Sequence, residues 1–269
     1  MPWISYRADD ACLLHAAAIG AGPTVVLLHA GGPDHTSMLP LAERLADRHR
    51  VVLPDLRGYG RSVCTDPARH TWARYTADVI RLLDHLGVAR AVLAGAGLGS
   101  TITLRTAAAH PDRVRAAVLI GVEDIEEDDA AREAEVRFLD AFAARIATGG
   151  LEAAWAPILG RLPPMVGAMV RDALPRCDPA SIAAAAAIGR DRAFRSVADL
   201  AAVTAPALVF PGADPRHPTA LARRVAATLP GGRLAAPALD ARLRTAEDLA
   251  AAVAPAVRAF LNALDTDPD

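Results

Sequence analysis

The 269-residue chain carries 31 acidic and 29 basic side chains, has a formal net charge of −2 and is 52% hydrophobic. Such a chain buries one sizeable core and is not disordered, and its interspersed charges argue against a nucleic-acid surface. All 29 basic residues are arginine, which excludes Schiff-base chemistry on a lysine amine and with it pyridoxal-phosphate anchoring.

In chain order, the segments 4–8 (ISYRA) and 12–18 (CLLHAAA) predict an antiparallel edge hairpin. Apolar strands follow at 24–30, 50–56, 90–96 and 115–122, separated by helices near 37–48, 71–87 and 98–109. Continuous apolar strands between amphipathic helices predict an α/β fold: a mostly parallel sheet of about eight strands with helices on both faces. After Val122 the pattern breaks. Six acidic residues crowd Glu123–Asp129, and helical periodicity runs through Phe138 and Phe142, past Gly149–Gly150, to the alanine run 183–187. Residues 123–200 therefore predict a helical insertion, leaving 1–122 and 201–269 as the core domain. Alternation resumes with strands at 206–212 and 232–238 and helices at 218–229 and 245–264, the last opened by a capping box of Thr245 and Asp248.

No apolar run approaches the ~18 residues of a membrane span, and Arg7, Asp9, Asp10 and His15 break any signal-peptide core. A cytoplasmic protein is expected. Cys12, Cys64 and Cys177 are odd in number and scattered, suggesting neither a disulfide framework nor a metal site. Glutamine is missing and Asn262 is the only asparagine, so polar work falls to arginine, carboxylates, histidine, hydroxyls and the backbone.

Four motifs stand in a telling order: LLHAGGPDH (27–35), PDLRGYGRS (54–62), VLAGAGLGS (92–100) and GADPRHP (212–218). In these the chain resembles the α/β-hydrolase family along nearly its whole length. The resemblance implies that 123–200 is a lid over a pocket, and that the backbone N–H groups of Gly31 and Leu98 form an oxyanion hole. It also implies a G-x-S-x-G elbow, but Gly95, Ala96, Gly97, Leu98 and Gly99 fill that motif, so the nucleophile's position has no side chain. The family's base is a histidine after the last strand; residues 237–245 read PALDARLRT, and no histidine follows His217. Asp214, matching the family's acid, is thus expected to lack an imidazole to orient, with Arg216, Arg242 or Arg244 neutralising it. A serine placed at Gly97 is expected to stay inactive as an esterase, the base being absent too.

His35 and His217 are the proton-transfer candidates, against the alternative that each is a surface or supporting residue. Glu123 and Asp124 end the strand 115–122. Under an apolar lid a carboxylate there would be raised in pKa by desolvation and act as a base; on the plainer reading all six acids form a solvated helix start. Ala30, Asp34, Trp155 and Met165 are expected to contact substrate, with Phe138, Phe142 and Met169 packing the lid or lining the pocket. Ser100 is a packing residue or a displaced nucleophile, Cys64 a buried thiol or a reactive one, and His29 a support of the oxyanion loop. The first functional expectation is an enzyme acting on a small, largely apolar carbonyl compound by acid–base and oxyanion catalysis, as a lyase, cyclase, isomerase or decarboxylase, without an acyl-enzyme. A catalytically inactive small-molecule binder and a hydrolase using directly activated water are the alternatives. No motif requires a metal or organic cofactor, and no nucleic-acid or membrane partner is implied.

Overall fold

The computed structural model describes residues 1–123, 125, 128–212, 214–236 and 239–266. Among these residues eight strands are present: β1 (Trp3–Arg7), β2 (Leu13–Ile19), β3 (Thr24–Leu28), β4 (Arg50–Pro54), β5 (Ala91–Ala96), β6 (Val114–Ile120), β7 (Ala207–Phe210) and β8 (Gly232–Leu234). They form one sheet in the order β1-β2-β4-β3-β5-β6-β7-β8, with β1 and β2 antiparallel at one edge and all pairings from β4 to β8 parallel. The expected α/β sheet is therefore present.

Strand alternation splits the core in two. Val25, Leu27, Val51, Leu53 and Phe210 face one layer, which α1 (Leu39–Leu45) and α8 (Ala246–Thr266) cover. Val26, Leu28, Val52, Leu93 and Val209 face the opposite layer of α2 (Trp72–His85), α3 (Leu98–Ala109) and α7 (Thr219–Thr228). Because both faces are covered, β3, β5 and β7 are apolar at nearly every position rather than at alternate ones.

Between β6 and β7 the described residues form helices and turns: α4 (Asp129–Leu159), α5 (Pro164–Ala173) and α6 (Pro179–Ala185). Gly150, at φ 78°, breaks α4 into two helical stretches. One expected helix is divided: 37–48 begins as a 3₁₀ turn (His35–Met38), capped by the Asp34 carboxylate on the Thr36 amide, before α1.

Beneath the edge hairpin lies a buried ion network. The side chain of Arg57 is fully enclosed and bonds Asp78 through Nε and Nη2 (2.8 and 2.6 Å) and Asp10 through Nη1 and Nη2 (2.7 and 3.2 Å). Burial raises the Asp78 pKa to about 6 even though the hydrogen bonds and charge of Arg57 oppose it. Removing one partner from a buried ion network leaves an uncompensated charge, so Arg57→Ala is expected to lower stability by about 3–5 kcal/mol. A urea-unfolding midpoint unchanged from wild type would refute this.

Candidate active site

The parallel strands β3, β5, β6 and β7 are neighbours, so the loops leaving their C-terminal ends meet at one edge of the sheet, where ligands bind in open α/β folds. β5 enters α3 through Gly97, whose φ of 50° and ψ of −117° disfavour a side chain. Its amide donates to the Ile120 carbonyl (3.0 Å) and its carbonyl accepts from the Ser100 amide (2.8 Å), so backbone hydrogen bonds flank the turn on both sides. The Ser100 hydroxyl donates to the Gly95 carbonyl (2.7 Å) and accepts from the Ile120 amide (3.1 Å). It ties β5 to β6 as a buried packing residue.

Two charged side chains surround the place a side chain on Gly97 would occupy. A Cβ built there would lie 2.9 Å from Glu123 Oε1, 3.3 Å from Ala30 Cβ and 3.4 Å from His217 Nε2. His217 Nδ1 is in turn 3.0 Å from Asp214 Oδ2, and its backbone amide donates to Asp214 Oδ1 (3.1 Å). The expectation that Asp214 has no imidazole to orient is thereby overturned. The loop after β7 closes a turn over Asp214–His217, bringing carboxylate and ring together within one segment. The sequence signal is the Asp-x-x-His spacing of Asp214 and His217 in the loop after β7, one strand earlier than the family's usual place for its base.

His217 Nε2 lies 3.3 Å from Glu123 Oε2, so the ring bridges two carboxylates. Arg216 Nε also donates to Glu123 Oε2, and its Nη2 reaches Glu135 Oε1 (2.9 Å). Burial alone would lower the His217 pKa, but hydrogen bonds to Asp214 and Glu123 and the charges of both raise it to about 10. For Glu123 burial pulls upward, yet the Arg216 charge and the His217 hydrogen bond hold the carboxyl down at about 2. The raised Glu123 pKa expected from desolvation is therefore corrected: two cations outweigh the burial. Asp214 is likewise held below its ordinary value, burial being outweighed by the His217 hydrogen bond and charge. Near neutral pH His217 is thus an imidazolium between the Asp214 and Glu123 carboxylates.

A cavity of about 200 Å³ opens over this cluster, with Phe138, Phe142, Trp155 and Ile158 among its apolar walls. Ala30, Gly31, Leu98, Glu123, Asp214 and His217 line it too. A Cβ on Gly31 would lie 3.9 Å from Leu98 Cβ, so these two residues adjoin beside Gly97. Trp155 meets Phe142 edge to face (4.9 Å) and lies so close to Gly32 that a Cβ there would fall 2.9 Å from the indole. Among the described residues, Arg216, Glu135 and Tyr59 also line the cavity; sequence reasoning did not single out the last two, and Arg216 only as a neutraliser of Asp214.

Other candidates lie elsewhere. His35 is buried outside the cavity lining, its Nδ1 2.7 Å from Asp55 Oδ1 and its ring against Trp3. Asp34 accepts hydrogen bonds from Thr36 and Arg176, and Met165 packs under α8 in the sheet's core layer; neither lines the cavity. Asp124 lies outside the described residues. His29 accepts the Leu56 amide at Nε2 (2.9 Å) and sits 2.8 Å from the Ala30 carbonyl at Nδ1, fixing the loop after β3. Arg242 pairs with Asp240 rather than Asp214. Asp34, His35 and Asp55 place three ligand atoms within 4.8 Å of one another. The Arg176 guanidinium on Asp34 and the His35 and Arg61 amides on Asp55 already take up these carboxylates, so the chemistry of the set does not favour a metal ion.

Comparison with known proteins agrees with the fold. Over 112 residues, 40% of this chain and 34% of the relative, the sequence is 38% identical to an epoxide hydrolase of Caballeronia sordidicola. The stretches matched span about two fifths or less of the lengths of such curated relatives. A crystal structure of a hydrolase from Pseudomonas aeruginosa PA01 superposes with a TM-score of 0.82 at 26% identity, covering 96% of this chain and 98% of that one. An esterase from Thermogutta terrifontis shares the fold with a TM-score of 0.81 at 24% identity, covering 98% and 99%. The family model described as alpha/beta hydrolase fold matches residues 23–165, more than half of the chain, and the chain belongs to that family.

Proposed function

We propose that the protein is a cofactor-independent hydrolase of small, largely apolar carbonyl compounds in which water attacks directly and no acyl-enzyme forms. One observation carries this reading: Glu123 and His217 converge on the space a nucleophile's side chain would fill above Gly97. The hydrolase names of relatives favour hydrolysis over the lyase and isomerase chemistries that the missing serine alone leaves open.

In this reading the substrate carbonyl oxygen lies against the Gly31 and Leu98 amides, the second at the N-terminus of α3, where the helix dipole also favours negative charge. A water beside Glu123 Oε1 attacks the carbonyl carbon and passes its proton to the carboxylate. The His217 imidazolium protonates the leaving oxygen. A carboxylate with so low a pKa is a weak base by itself. Donation by His217 removes one of the cations that depress it, so the two transfers support each other and the pair keeps its total charge. The proton then returns from Glu123 to His217 across the 3.3 Å contact, leaving acid and alcohol as products.

The pH profile tests this. A triad histidine near its ordinary pKa gives a rate that climbs around neutral pH. Here His217 must be protonated, and its pKa of about 10 places the loss of activity on the alkaline side. We expect kcat/KM on aryl esters and lactones to be flat from about pH 5 to 9 and to fall above. The linked stability has the same sign: the His217 contribution, complete below its ordinary pKa, is lost as pH rises through about 10, and that of Glu123 is lost as pH falls toward 2. A rate rising through neutral pH, or labelling of the wild-type protein by a fluorophosphonate, would contradict the proposal; binding without turnover across an ester and lactone panel would favour the inactive binder.

A further inference from the structure

Among the described residues, an arginine-rich groove also borders the cavity. Arg105, Arg132, Arg192 and Arg195 wall a groove with Asp129, Asp199 and Phe194, and this groove shares Arg132 and Ala193 with the cavity. Among the described lining residues four guanidinium groups stand with two carboxylates, a net charge of +2 for that lining.

The arginine donors are sparsely used. Arg105 Nη1 donates to the Ala193 carbonyl (2.9 Å), Arg132 Nη2 to the Arg190 carbonyl (2.7 Å), and Arg192 Nη2 to Asp129. The Nε atoms of Arg105, Arg132 and Arg192 are buried and have no hydrogen-bond partner among the described residues. Asp199 is itself occupied by the Arg195 and Ser196 amides. A guanidinium carries five N–H donors in a fork that matches a phosphate's oxygens. Three partly buried guanidinium groups and an exposed fourth line one groove, and their Nη edges suit a doubly charged oxyanion better than a single carboxylate.

We infer that this arginine groove binds the phosphate group of a ligand whose apolar portion enters the adjoining cavity. The inference rests on the cavity being the substrate site and narrows its occupant to an apolar compound bearing a phosphate.

Isothermal titration of the 269-residue protein tests it with three probes: n-hexyl phosphate, hexan-1-ol and inorganic phosphate. Hexyl phosphate should bind at least about ten-fold more tightly than either other probe, with affinity falling as salt is raised. Arg105→Gln combined with Arg192→Gln, two residues that line the groove but not the cavity, should weaken hexyl phosphate at least about ten-fold and leave hexanol unchanged. Arg195→Ala, which removes an exposed side chain and no carbonyl or carboxylate contact among the described residues, should weaken it several-fold in a protein of wild-type stability. Equal affinity for hexyl phosphate and inorganic phosphate would overturn the spanning ligand, and unchanged affinity in Arg195→Ala together with the double variant would overturn the groove. Failure of the hydrolase reading shows separately, as tight hexyl phosphate binding without ester turnover.

Discussion

His217→Gln is expected to lower kcat/KM on carbonyl substrates by about 10²–10⁴-fold, the usual contribution of a positioned acid or base. Glutamine keeps an N–H donor near Glu123 but can neither hold a transferable proton nor carry charge. The fold should survive the change. Asp214 still accepts the Arg216 and His217 amides (2.9 and 3.1 Å), and Glu123 keeps the Arg216 guanidinium. Ligand affinity in the cavity, whose walls are mostly apolar, should therefore change only a few-fold, placing the loss in kcat. A variant retaining more than about a tenth of wild-type kcat/KM would remove His217 from the chemistry.

What was legible in the sequence differs between fold and site for a physical reason. β3, β5 and β7 announce themselves because a strand buried on both faces admits almost nothing polar, and the closing helix because its apolar stripe repeats with helical period. Gly97 was legible as a turn residue, since a backbone at φ 50° with α3 close behind leaves little choice of side chain. Its surroundings were not. Glu123 and His217 are 94 positions apart, and their meeting depends on β6 and β7 lying side by side in the sheet, a pairing that periodicity alone does not specify. The charge balance was hidden for the same reason: Glu123 in isolation reads as a carboxylate raised by burial, and only the arrival of Arg216 and His217 reverses the sign. His35, by contrast, reads as a proton-transfer candidate, but its imidazole is taken up by Asp55 and lies outside the cavity lining.

The second large effect concerns the empty elbow. Gly97→Ser alone is expected to remain a poor esterase, though not because a base is missing. Its Cβ would enter within 2.9 Å of Glu123 Oε1, a carboxylate clamped by Arg216 and His217, while Glu123 keeps the imidazole protonated and unable to accept a proton from the hydroxyl. Combining Gly97→Ser with Glu123→Ala removes both obstacles. The space opens, and His217, left with Asp214 as its carboxylate partner, drops in pKa toward the range of an ordinary histidine base. Serine, His217 Nε2 and the Nδ1–Asp214 contact then stand in triad order, and the strain of a non-glycine residue at positive φ, about 1–2 kcal/mol, is one a packed turn sustains. The double variant should hydrolyse p-nitrophenyl esters with a burst and accept a fluorophosphonate at residue 97, at a rate at least about 10²-fold above the single variant. No labelling in a folded double variant would mean that His217 does not reach the elbow, and full esterase activity in the single variant would mean that Glu123 does not hold the histidine in its charged state.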